Sequence, residues 1–270
     1  MTKAFTYSFL LIIVSLMVLA LRVPLEASLL PIVERPLISN LLADSTVRVL
    51  IVIGLSFFVL QKRLLPFNGL KPFTLSNAQL LLLSVAIILI LSYSSYGFYL
   101  ATTPSILLLF GIGQALIGIM EELLFRGIVF PLLILHFANK KQPIIKAVWL
   151  SSLLFGAVHL VGLIRHPENV WGVTNTVIFA TGIGFFFACM LLRTGNILVP
   201  VFIHFLVDFT NGASALSEVE AVAAVPTLTT VVLTLGVVIG MSLIFIGAGW
   251  FLLKRVDREE WLQKAALIRF

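Results

Sequence analysis

Stretches of about 20 apolar residues recur along the chain, the length a helix needs to cross a hydrocarbon core roughly 30 Å thick. Eight are read, near 4–21, 45–61, 78–100, 105–137, 147–164, 173–192, 197–210 and 227–253. Unpaired backbone groups are costly in lipid, so closed helices are the form such segments take. Of the 270 residues 60% are hydrophobic and 11% charged, more apolar surface than a soluble domain of this length can bury. The expected fold class is all-α, a polytopic transmembrane helix bundle of about eight spans. The fourth stretch is long enough to cross tilted, or to be two helices broken at Pro131. The seventh is short enough to need tilt or a thinner bilayer.

The net charge of +6 raises nucleic acid as a partner, but its distribution points to lipid headgroups. With eight spans, thirteen of the eighteen cations fall on one side: Lys3, Lys62, Arg63, Lys71, Lys140, Lys141, Lys146, Arg193 and the group from Lys254 to Arg269. Arg22, Arg35, Arg48 and Arg165 fall on the other, and Arg126 lies inside a span. The positive-inside rule then places both termini in the cytoplasm. A cleavable leader is not expected, because the first stretch is long and ends in Arg22-Val23-Pro24 rather than a small-x-small site. The lone Cys189 excludes an internal disulfide and a Cys-rich metal site. With no linker and no visible repeat, residues 1–270 read as a single membrane domain. The tail 254–270 is amphipathic enough to lie on the cytoplasmic headgroups.

Few strongly polar side chains fall inside the spans: Glu121, Glu122, Arg126, His136, His159, His204 and Asp208. A charge near mid-membrane costs on the order of 2.5–3.5 kcal/mol on insertion scales, so several together ask for mutual pairing, a watered cavity or a function. Glu122 and Arg126 are four apart and share a helix face, which makes them an ion pair. Glu121 sits about 100° around the helix, without a local counter-charge, which suits it to taking up a proton as a general base. The alternative is that both carboxylates clamp the arginine. Phe155 and His159 share a face in the fifth span, and His204 and Asp208 share one in the seventh, where the carboxylate fixes the imidazole tautomer. A bland reading stands beside each pair: a satisfied buried histidine, or a His–Asp lock between helices.

Glu121-Glu122-Leu-Leu-Phe-Arg126-Gly127 matches an EExxxR motif, Phe155 to His159 an FxxxH, and His204 to Asp208 an HxxxN/D, with Thr194-Gly195-Asn196-Ile197 and Pro200 ahead of the last. In this order and spacing the set resembles the CPBP family, the CAAX-protease and bacteriocin-processing (Abi) membrane peptidases, over about residues 105–210. The resemblance implies an eight-helix bundle with the polar residues meeting in an intramembrane cavity, and peptide-bond hydrolysis by activated water. Glu121 and His159 would activate the water, His204 and Asp208 would hold the oxyanion, and Glu122 and Arg126 would support them. Asp208 stands where the family often has Asn. A carboxylate donates to an oxyanion only when protonated, so His204 is expected as main donor with Asp208 as its orienter.

Two chemistries stay open for the water. A glutamate–histidine pair can activate it unaided, or a divalent metal such as zinc, with Glu121, His159 and His204 as candidate ligands, can lower its pKa. The Glu122–Arg126 pair puts a positive charge beside the site, which favours the metal-free version. Intramembrane Glu, His and Asp also serve proton and ion relays, so a transporter is the competing class, and a non-catalytic immunity-type scaffold is a third. The partners expected are a membrane-associated peptide or protein substrate and the lipid bilayer, with no nucleic acid.

Overall fold

The computed structural model describes residues 2–69, 86, 95–217 and 227–269. Among them seven helices are long and apolar enough to cross a membrane: Lys3–Val33, Pro36–Gln61, Pro104–Phe137, Pro143–Ile164, Val170–Thr194, Leu198–Leu216 and Leu228–Leu253. They coincide with seven of the eight apolar stretches, and residues 78–94 of the remaining one lie outside the described residues, save residue 86. No strand forms among the described residues, and the chain is a polytopic all-helical bundle. The first span outruns its apolar stretch, since α1 (Lys3–Ala20) bends at Leu21 into α2 (Arg22–Val33) and carries Arg22-Val23-Pro24 within a helix. Proline opens α3 (Pro36–Gln61), α4 (Pro104–Leu124) and α6 (Pro143–Ala157) in the first turn, where its missing N–H is an orphan in any case.

Pro131 does not break the fourth span. It widens it. A proline inside a helix cannot bond the carbonyl four residues back, and its ring crowds that carbonyl. Here Phe125–Val129 forms one π-helical turn between α4 and α5 (Phe130–Phe137), with the Phe130 N–H reaching back to the Phe125 carbonyl. The Gly127 carbonyl, which Pro131 cannot serve, accepts instead from Nδ2 of Asn68 at 3.1 Å. That same amide nitrogen also donates to the Leu64 carbonyl at 2.9 Å, so the turn 62–69 is pinned to the bulge. Gly127 is required there, because a Cβ would run into Oδ1 of Asn68.

After the short α7 (Gly162–Arg165), the centre is taken by α8 (Val170–Thr194), buried along Phe185-Phe186-Phe187-Ala188-Cys189-Met190-Leu191. It packs most extensively against α6 and α10 (Leu228–Leu253). Small residues permit the approach, as at helix crossings in lipid generally. A Cβ on Gly182 would lie 2.6 Å from the Cα of Ser242 on α10, and one on Gly184 would lie 2.9 Å from the Phe155 ring on α6. Beyond α10, the tail helix α11 (Arg258–Ala266) is capped by Asp257, which accepts from the N–H groups of Glu259 and Glu260. Its inner face is docked on the bundle. The Trp261 indole N–H donates to the Leu192 carbonyl at 3.2 Å and its ring packs on Phe67.

Replacing Asn68 by Ala leaves the Gly127 carbonyl orphaned. The expected loss is about 1–3 kcal/mol, read as a lowered thermal transition in detergent, with Asn68→Asp no better because it lacks the donor. An unchanged transition for Asn68→Ala would show that another group serves that carbonyl.

Candidate active site

Glu121 and Glu122 end α4, and Arg126 lies in the wide turn that follows. Glu122 and Arg126 are sealed at 0% and 1% exposure. Their contact, Nη1 to Oε1 at 3.1 Å, is the one that the i,i+4 spacing leads to. The guanidinium is further held by the Gly184 carbonyl, which accepts from Nη2 at 3.0 Å, and by the face of the Phe155 ring, 4.3 Å from its centroid. The bare backbone of Gly184 lets the arginine reach that carbonyl. Phe155 in turn stands nearly perpendicular to both His159 and His204, with ring centroids 5.5 and 5.8 Å away.

His204 arrives on α9 (Leu198–Asn211). The turn before it is built by Thr194-Gly195-Asn196: Gly195 takes a left-handed φ of 63° that stops α8, and Oδ1 of Asn196 accepts from the Leu198 N–H at 2.9 Å. The imidazole is held at both ends. Its Nδ1 lies 2.8 Å from Oε1 of Glu122, and its Nε2 lies 3.3 Å from Asp208 and 3.7 Å from Glu121. Glu122, rather than Asp208 alone, therefore orients the ring. The Nδ1 proton goes to Glu122, and Nε2 points at two carboxylates. His159 sits in the 3-10 turn Val158–Val161 that extends α6. Its Nδ1 is 2.9 Å from the Phe155 carbonyl, an acceptor only, so Nδ1 carries the proton and a neutral ring keeps its lone pair on Nε2.

These groups meet at a cavity of about 400 Å³ lined by His159, His204 and Asp208, with Phe179, Phe187 and Met241 among the apolar remainder. Glu121 is not among the lining side chains; it adjoins the wall through His204. His136 does not join the group. It bonds the Thr2 hydroxyl at 2.7 Å and packs on Phe5, in the contact of α5 with the start of α1.

One charge was misplaced by counting cations along the sequence. Arg48 belongs to no polar connection: it is 8% exposed within α3, paired with Asp44, which Arg22 also contacts at 3.1 Å. Its electrostatic partners include Glu121 and Asp208. The signal was present, as an arginine with an aspartate four residues before it at the head of an apolar run. Counted together, Glu121, Glu122, Asp208 and Asp44 supply four negative charges, and Arg22, Arg48 and Arg126 three positive ones.

Among the described residues no group of three or more His, Cys, Asp or Glu side chains is arranged to hold a metal ion. What the arrangement provides is a polarised N–H at His204, a free imidazole lone pair at His159 and a carboxylate at Glu121, beside one apolar cavity.

The two glutamates should respond differently to amidation. Glu122→Gln leaves Arg126 uncompensated in a sealed site, at about 3–5 kcal/mol, so folded yield should fall sharply, as for Arg126→Gln. Glu121→Gln should insert and fold normally. Equal losses of folded protein would make the pair one structural clamp.

Comparison with curated proteins and with solved structures found no match. Residues 102–210 match the family model described as Type II CAAX prenyl endopeptidase Rce1-like. That stretch runs from the head of α4 to Thr210 on α9 and contains Glu121, Glu122, Arg126, His159, His204 and Asp208. Residues 102–210 are thus similar to the Rce1-like type II CAAX prenyl endopeptidases.

Proposed function

We propose that the chain is an intramembrane endopeptidase that hydrolyses a peptide bond of a membrane-associated protein by activated water. The observation that carries this reading is the convergence of His159, His204 and Asp208 on one cavity, with Glu121 3.7 Å from Nε2 of His204. Glu121 takes the proton of the attacking water, whose other O–H donates to the Nε2 lone pair of His159. In its imidazolium form His204 keeps Nδ1–H on Glu122 and offers Nε2–H to the developing oxyanion, and Glu122, fixed by Arg126, holds the ring so that no reorganisation is needed during the reaction. Asp208 tightens that N–H. The collapsing intermediate then returns the proton to the leaving amine through Glu121. No step is routed through a metal.

A lipid-modified substrate fits the surroundings. A second cavity of about 800 Å³ lies between α1 and the His159 turn, lined by Leu16, Met17, Val158 and Ile164. It shares His159 and Thr176 with the first cavity. An aliphatic chain in the second therefore brings its attached peptide to the first. This supports a prenylated tail over a leader-bearing peptide. The topology that goes with it has both termini, and hence α11, in the cytoplasm, as the basic residues favour.

Three measurements check the reading. Purified enzyme should cleave a peptide ending in an S-farnesylated cysteine tail, and Glu121→Gln or His159→Ala should reduce the rate by at least about 100-fold with the thermal transition kept. Exhaustive chelation should leave the rate unchanged, whereas chelator-sensitive activity restored by stoichiometric zinc would replace the metal-free route and keep the peptidase. Reporter fusions at Lys264 should read as cytoplasmic.

A further inference from the structure

The cavity beside His159 and His204 carries two side-chain amides that the proposed reaction leaves idle. Asn211 follows Asp208 by three residues and His204 by seven, so the three share one face of α9, and all line the cavity. Asn175 lines it from α8. Neither amide makes a hydrogen bond among the described residues. The neighbouring Thr176, by contrast, spends its hydroxyl on the Gly172 carbonyl at 3.0 Å.

A peptide bond is open to attack only when its carbonyl is released from a helix, so the substrate enters the site as extended chain. Extended backbone within a bilayer has no water to pair its N–H and C=O groups, and leaving them bare is costly. A carboxylate would satisfy only the N–H, and an ammonium only the carbonyl. A primary amide serves both and adds no charge to a low-dielectric site. The spacing is also definite. With a rise of about 1.5 Å per residue, Asn211 stands about 10 Å along α9 from His204, and an extended strand covers that distance in about three residues.

We infer that Asn175 and Asn211 form a backbone clamp that pairs with N–H and C=O groups of an extended substrate strand, about three residues from the scissile bond. The inference rests on the peptidase reading above and deepens it. The substrate class it names is an unfolded segment read through its main chain at the clamp, with tolerance for the side chains there and none for a missing backbone N–H.

The probe is an internally quenched peptide carrying an S-farnesylated cysteine. A set of analogues replaces one backbone amide at a time by an ester, which removes the N–H and keeps the shape. Full-chain wild-type enzyme is expected to show KM raised about tenfold, the effect of one lost hydrogen bond of about 1.4 kcal/mol, for the ester about three residues from the cleaved bond. Asn211→Ala and the similarly shaped Asn211→Leu should each raise KM for the all-amide peptide about tenfold with kcat kept, the pattern of lost uniform binding, and should then be indifferent to that ester. Asn175→Ala should raise KM in the same way. Additive losses from variant and ester, or losses in kcat alone, overturn the clamp and leave the peptidase standing. A wild-type enzyme that cleaves no peptide of the set overturns both.

Discussion

Oε1 of Glu122 receives two partners at once, the guanidinium of Arg126 and Nδ1 of His204, in a place sealed from solvent. A lone carboxylate could not be kept ionised there, and a lone arginine could not be kept there at all. Each is tolerable because the other is present. Their pairing ties the wide turn after α4 to α9, while the second hand of Arg126 ties it to the backbone of α8 at Gly184. Three helices are thereby fixed around one buried charge pair, and the face of His204 left over looks into the cavity. The catalytic geometry proposed for this chain is in that sense a by-product of solving a solvation problem in lipid.

The spans were legible because lipid demands a long apolar run for every crossing, and nothing local disguises such a run. The contact of Glu122 with Arg126 was legible because helix periodicity alone puts them together. Its other contact was not: 82 residues of chain separate Glu122 from His204, and no periodicity links them. The sequence therefore suggests Asp208 as the orienter of the ring, whereas the stronger hold on Nδ1 comes from Glu122. Arg48 was hidden differently. A cation at the head of an apolar stretch looks like a topology signal until the helix is seen to begin a dozen residues earlier, at Pro36, which moves the arginine inward. Pro131 was read as a possible break because proline removes a bond, but the break is avoided by Asn68, a partner 59 residues from Gly127.

The site is asymmetric in a way that bears on chemistry. His159 is only half-buried and its second nitrogen is free, whereas His204 is enclosed and engaged at both nitrogens. One imidazole is arranged to accept a proton and the other to present one, from environments set by their helices rather than by any difference between the side chains. Phe155 touches both environments, standing perpendicular to each imidazole while Arg126 covers its face.

The wide turn at Phe125–Val129 has a consequence for how chains of this kind are aligned. A π turn is an α-helix that has taken up one extra residue as a local bulge, so the segments on either side keep their course. What the extra residue changes is the turn itself, which holds Arg126 and presents the Gly127 carbonyl to Asn68. A one-residue gap at this point in a related chain is therefore not a neutral loop indel; it marks a chain without the wide turn, in which the arginine and that carbonyl have to be placed by other means.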